Sequence, residues 1–482
     1  MGKHKTNLDE STLAFATIAE LGTALRQRQI SCLELTKFFG ERLETQGPEY
    51  NALALSLLSD GQKAAKDVDW DIKHDRFRGA LHGIPFAVKD LLSVADYPTT
   101  WGAKPFAEQV FDYDATAVQK LKGAKAILIG KLAMIELAGG GGYTSASASL
   151  QGPGRNPWNK EYWSGGSSSG SGAAVGAGLV PFALGSETSG SILTPASYCG
   201  VSGLRPTYGL VSRHGAMALS WTLDKIGVLA RSAEDCGLVL HKIAGADDED
   251  PGSADKSFYY TPQYYSNLKD LRIGFAEIDF SEWPQDSLRP AFARALAVVK
   301  SLGPAMVETK LPDFPYGPVI TCIIGSEAAS IFETFIRGGR VDQLADQGQI
   351  DGLKASMNYS ALDYLKAMRL RTQIQKAFRE LFMDLDLLVA PTKVDLPDKA
   401  DIPFDETTPK RPETKGVFAG LVQAGNLCGL PALTVPCGFV NGLPIGLQIV
   451  GRPFSENHIL ALAVEFQKQT NFHKQRPGHI AT

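Results

Sequence analysis

The chain has 482 residues, long enough for one large domain or for two to three ordinary ones. Its 44% hydrophobic and 21% charged residues are those of a soluble globular protein, and a net charge of −4 offers no basic field for nucleic acid or an anionic membrane. Six cysteines (Cys32, Cys199, Cys236, Cys322, Cys428 and Cys437) are scattered without a C-x-x-C pair, which argues against a disulfide framework or a cysteine-rich zinc site.

Residues 8–47 read as helical, with Ser31 and Glu34 forming a capping box and Gly47-Pro48 closing the second helix. Residues 51–58 alternate weakly like a strand, and 60–70 are a short helix. The first buried strand is expected at 84–88, delivering Lys89 and Asp90 to its C-terminal end. Helix at 116–122, strand at 126–130 and helix at 132–137 follow, a rhythm that implies a largely parallel, helix-covered sheet. The stretch WSGGSSSGSGAAVGAGLVPFALGSETSGSILTPA, residues 163–196, dominates the chain: two Gly/Ser turns joined by an apolar helix and strand. Glycine lets backbone approach a ligand closely, bare N–H groups form an anion nest, and hydroxyls supply a nucleophile and a proton relay. That combination reads as an acyl-transfer site.

Further along, Ser232 caps a helix to residue 243, and 247–250 form an acidic loop. Strands at 271–275 and 306–309 flank a helix at 287–302, and 315–384 are helix-rich with a surface break at 347–354. Short strands at 387–390, 432–436 and 446–450 precede a final helix, 455–470, capped by Ser455. Residues 393–414, rich in Pro, Asp and Lys, are the lid candidate. Without repeats or low-complexity linkers, a single domain over 1–482 is favoured. Its parts are a helical region at about 8–70, a catalytic core at 80–245, a helix-rich substrate or lid region at 246–415, and closing strands and helix at 416–482. No apolar run reaches membrane-spanning length and the N-terminus lacks an apolar signal core, so a cytoplasmic protein is expected. Met1–Thr6 does fit a myristoylation pattern, but one so short arises by chance.

Nucleotide, phosphate-loop and H-E-x-x-H zinc motifs are absent, so neither cofactor nor metal is expected. Residues 166–170 match G-x-S-x-G, but a nucleophile elbow must follow a strand, and residues 162–165 are not one. No histidine sits beside the serine-rich turns, which leaves lysine as the base. An ordinary lysine titrates near ~10.4, so poising it near neutrality takes about 4 kcal/mol from burial and hydrogen bonding. Lys89, at the end of an apolar strand, is placed for that; its alternative is a simple pairing with Asp90.

Residues 83–90 (GIPFAVKD), 165–171 (GGSSSGS) and 185–192 (GSETSGSI), together with 199–207, 426–432 and 442–448, resemble the amidase signature family. The resemblance spans about residues 10–475, and the interval between Ser167 and Ser191 matches without a gap. It implies an α/β fold: a central mixed, mostly parallel sheet covered by helices on both faces. It also implies Ser191 as nucleophile, Ser167 after a cis peptide as proton bridge, and Lys89 as base. Ser168 would hydrogen-bond Lys89, and Glu187 would brace the loop. Backbone N–H groups of Thr188, Ser189, Gly190 and Ser191 would form the oxyanion hole, ahead of a helix start at Thr194-Pro195.

Two departures bear on substrate. Leu193 stands where most members carry Arg, a natural clamp for carboxylate-bearing substrates, so neutral, apolar acyl groups are expected. Gly139, Gly140, Gly141 and Gly142 replace bulkier residues near the acyl pocket and suggest a roomy site, with Tyr143 as an aromatic wall. The leading expectation is therefore a stand-alone serine amidase acting on neutral, apolar or aryl amides, with carbamates (a urethanase) and esters within reach. Its partners would be a small-molecule substrate, with no nucleic acid and no membrane, and a homodimer left open. The alternative is the A subunit of glutamyl-tRNA amidotransferase, which chain length and residues 200–213 resemble and which the missing clamp argues against. A catalytically inactive scaffold is a third reading, opposed by retention of Lys89, Ser167 and Ser191 together.

Overall fold

A computed structural model describes residues 9–407 and 415–478. Among them runs one continuous sheet of eleven strands: β1 (Leu53–Ser56), β2 (Pro85–Lys89), β3 (Ile127–Leu132), β4 (Phe182–Glu187), β5 (Ser202–Arg205), β6 (Lys225–Ala230), β7 (Arg272–Phe275), β8 (Ala305–Glu308), β9 (Leu387–Pro391), β10 (Ala432–Val440) and β11 (Leu443–Gly451). Their order is β1-β3-β2-β4-β6-β5-β10-β11-β9-β7-β8. Parallel pairing is confined to two flanks, β3-β2-β4 and β9-β7-β8. The rest is antiparallel, centred on the β10-β11 hairpin. The sheet is mixed rather than mostly parallel, because β4, β6 and β5 return antiparallel where a run of crossovers was expected.

Helices cover both faces, and alternation along one strand shows it. On β5, a Cβ at Gly203 would lie 2.5 Å from Ala196 in helix Leu193–Cys199. The preceding Ser202 points the other way, its Oγ accepting from Gln467 Nε2 of helix Glu456–Thr470 at 3.0 Å.

Small residues bring the site's elements together. Helix Ser169–Gly176 is buried along its whole length and has no polar face. A Cβ at Gly170 would meet Ala52 O at 2.5 Å, and one at Gly172 would meet Pro195 Cβ at 2.9 Å. Helices Ser169–Gly176 and Leu193–Cys199 therefore pack nearly backbone to backbone, with Ser167 and Ser191 just ahead of their first turns. Beside them, the parallel strands β2 and β4 end at Lys89 and Glu187. Ligands of open α/β sheets bind beyond such carboxyl ends.

Several elements differ from expectation. Residues 132–137 do not form a helix: β3 continues through Leu132, Ile135 N–H donates to Ser167 O at 3.1 Å, and Leu137 and Ala138 adopt left-handed backbone with φ of 47° and 55°. Residues 347–354 are not a surface break but part of helix Gln347–Ser356, because Asp346 caps its first turn and Ile350 and Leu353 are buried. Ser455 precedes the last helix without capping it; its Oγ donates to Arg452 O instead. In the lid candidate, Phe404–Thr407 form a short helix, while residues 408–414, like the Met1–Thr6 pattern, lie outside the described residues. No helix among the described residues is long and apolar enough to cross a membrane.

Substituting Gly203→Ala forces two methyl carbons together between sheet and helix. The variant should lose about 1–3 kcal/mol of stability, read as a lower denaturation midpoint; an unchanged midpoint would contradict this packing.

Candidate active site

Lys89 is fully buried at the end of β2. Its Nζ donates to Ser167 Oγ at 2.7 Å and to Ser186 Oγ at 2.9 Å. Both contacts are hydroxyls, and no carboxylate among the described residues pairs with the amine. Burial drives its pKa down to about 7, against a pull upward from the more distant Asp224 and Glu187. The pairing with Asp90 does not form, because Asp90 is held by the buried Lys131 at 2.8 Å. Ser168 does not meet Lys89 as expected: its Oγ donates to Ser186 O at 3.2 Å and accepts from Ser186 N–H at 3.3 Å. Ser186, which the sequence did not single out, takes that place.

The peptide between Gly166 and Ser167 is cis. Ser191 lies one residue before Ile192, the cap of helix Leu193–Cys199, and its carbonyl accepts from Ser168 N–H at 3.3 Å. That bond ties the two serine loops to each other. The N–H groups of Thr188, Ser189, Gly190 and Ser191 donate to no acceptor among the described residues. They are free for a developing oxyanion.

Glu187 is the brace of this loop. Its Oε2 accepts from the N–H groups of Ile192 and Leu193 at 2.9 and 3.1 Å. Its Oε1 accepts from Arg205 Nη1 at 2.7 Å and Asn426 Nδ2 at 2.9 Å. Burial works to raise its pKa, but Arg205 and the hydrogen bonds outweigh it and hold the carboxyl at about 2. Thr188 Oγ1 donates to buried Asp224 at 2.6 Å, anchoring the loop on its other flank. Arg205 and Asn426 lie within matched segments, although no role followed from their spacing; Asp224 carried no signal at all.

The residues expected to line a roomy acyl pocket have other neighbours. A Cβ at Gly139 would meet Tyr143 at 2.7 Å, one at Gly140 Leu219 at 2.7 Å, and one at Gly141 Gln349 O at 2.6 Å. Only Gly142 faces open space, so the glycine run serves close packing against helix Gln347–Ser356. Tyr143 packs edge-on to Trp163, and a Cβ at Gly166 would lie 3.1 Å from its hydroxyl. Leu193 is fully buried in an apolar cluster with Leu223, Ile320 and Ile374. Two cavities adjoin the loop between β4 and helix Leu193–Cys199. One, of about 290 Å³, is lined by Ser189, Gly190, Lys393 and Gln448 among others. The other, of about 190 Å³, is lined by Ser186, Thr188 and Asp224 and shares no residue with the first.

The family model described as Amidase matches residues 34–460, and the chain belongs to the amidase signature family. The chain is 36% identical to the A subunit of glutamyl-tRNA(Gln) amidotransferase from Carboxydothermus hydrogenoformans, over 96% of this chain and 99% of that protein. Relatives of the same name from other organisms share 34–36% identity. Among solved structures, the peptide amidase of Stenotrophomonas maltophilia superposes with a TM-score of 0.82 at 27% identity, covering 98% of this chain and 100% of that one. The A subunit of glutamyl-tRNA(Gln) amidotransferase from Thermotoga maritima does so with a TM-score of 0.73 at 27% identity, covering 96% and 95%.

These relatives overturn the leading expectation of a stand-alone amidase for neutral, apolar or aryl amides, carbamates and esters. That expectation leaned on Leu193, whose apolar side chain answers to core packing and so says nothing about the acyl group. The expectation of a small-molecule substrate alone, without nucleic acid and with a homodimer left open, falls too. The relatives are named as one component of an enzyme acting on glutamyl-tRNA(Gln), and the net charge of one chain does not report what an assembly binds.

Replacing Glu187 with Gln would leave the buried Arg205 guanidinium without its counter-charge. Stability should fall by about 3–5 kcal/mol, measured by denaturant unfolding at neutral pH; a loss below about 1 kcal/mol would show that the brace is dispensable.

Proposed function

We propose that this chain is the amide-cleaving A subunit of a glutamyl-tRNA(Gln) amidotransferase, which takes ammonia from an amide donor through an acyl-enzyme on Ser191. The observation that carries this reading is the buried amine of Lys89, 2.7 Å from Ser167, in a chain that matches such subunits over nearly its whole length. The Lys89–Ser167 contact, with Ser191 retained on the neighbouring loop, favours catalysis over an inactive scaffold.

Chemically, neutral Lys89 draws a proton through Ser167 from Ser191, whose oxygen attacks the amide carbon. The carbonyl oxygen gains negative charge and is met by the free N–H groups of Thr188 to Ser191, each typically worth about 3–4 kcal/mol in the transition state. Ser167 returns the proton to the leaving nitrogen, which departs as ammonia, and water releases the acyl group from Ser191. Glu187 holds the turn after the nucleophile rigid, so the donors need no rearrangement as charge develops.

Purified protein should release ammonia from L-glutamine, and Ser191→Ala should reduce the rate by about 10³-fold or more while the protein stays folded. With its partner subunits, ATP and glutamyl-tRNA(Gln), wild type should yield glutaminyl-tRNA. Failure to release ammonia or to form that product would contradict the proposal. Because Lys89 must be neutral, and charges as pH falls through about 7, kcat/KM should climb through that pH and level off above it. A flat profile between about pH 6 and 9 would rule out Lys89 as the base.

A further inference from the structure

The cavity of about 290 Å³ beside Ser189 and Gly190 holds charges of both signs that are not spent on each other. Lys393 lines it and, among the described residues, forms no ion pair; its Nζ lies 5.9 Å from the Tyr198 ring centroid. Asp395 lines it too, accepting from the Tyr198 hydroxyl at 3.3 Å and from no cation. The third polar group is Gln448, which is 3% exposed on β11. Its Nε2 donates to Pro391 O at 3.2 Å, whereas its Oε1 is buried without a partner. Near the loop, Arg205 is committed to Glu187 and the Lys89 amine already donates to two serines.

A buried acceptor left unpaired costs free energy, and a cation and an anion held apart in one cavity suit a ligand carrying both charges. We propose that this cavity is the head-group site for a free α-amino acid. Lys393 receives the α-carboxylate, Asp395 and Gln448 Oε1 receive the α-ammonium, and the side-chain amide extends past Gly190 to Ser191. The identity of the amino acid as glutamine rests on the amidotransferase reading; the recognition of a zwitterion does not.

Calorimetric titration of the Ser191→Ala protein separates the two. The probes are L-glutamine, L-glutaminamide, which lacks the carboxylate, and glutaric acid monoamide, which lacks the amine. L-glutamine should bind about 10-fold or more tightly than either analogue. Adding Lys393→Met should erase the preference over L-glutaminamide, Lys393→Arg should keep it, and Asp395→Asn or Gln448→Leu should erase the preference over the monoamide. Equal binding of all three probes, absence of binding, or uniform weakening of all three by Lys393→Met would overturn the assignment. Turnover of L-glutamine by wild type without such discrimination would sink the subsite and leave the amidotransferase reading standing. Discriminating binding without turnover would do the reverse.

Discussion

A lysine amine removed from water and surrounded by hydroxyls is the constraint on which the rest of this structure depends. An ammonium in that position would be costly to keep charged, and a carboxylate in contact would keep it charged regardless. The fold prevents the second outcome one residue away, where Asp90 is tied to Lys131 on the adjacent strand. Ser167 and Ser186 then meet Lys89 as groups that can accept or relay a proton without fixing its charge.

Placing those hydroxyls requires two loops, a strand end and two helices to meet within a few ångströms. Glycine and alanine permit this where larger residues would not, as between Gly172 and Pro195. Glu187 secures the arrangement across the sheet, joining β4 to Arg205 on β5 and to Asn426, which precedes β10. The same buried pairing holds its pKa well below the usual carboxylate range, so the group that stiffens the loop ahead of Ser191 stays ionised at neutral pH.

Much of this was legible in the sequence because the chemistry is packed into short segments. The strand ahead of Lys89 is an unbroken apolar run, and the Gly/Ser turns around Ser167 and Ser191 have few other uses. What escaped notice depends on distant partners. Residues 202–205 and 225–230 mix glycine with charged residues yet pair as central strands, because Arg205 and Lys225 are buried rather than exposed. Ser186 looked like one more turn serine, and nothing local marks Asp224 as the anchor of Thr188. Leu193 misled for the same reason: it was read as an apolar residue in the place of a carboxylate clamp, although the chain turns it into the core.

The decisive quantity is the protonation state of one amine. Protein labelled with ¹⁵N at lysine Nζ, with Lys89→Met to assign its resonance, allows that amine to be titrated directly by NMR in the absence of substrate. The account predicts that Lys89 loses its proton near pH 7, far below the other lysines, and that Asp90→Asn leaves this midpoint nearly in place. A Lys89 resonance that stays that of an ammonium to above about pH 9, as for an ordinary lysine, would contradict it.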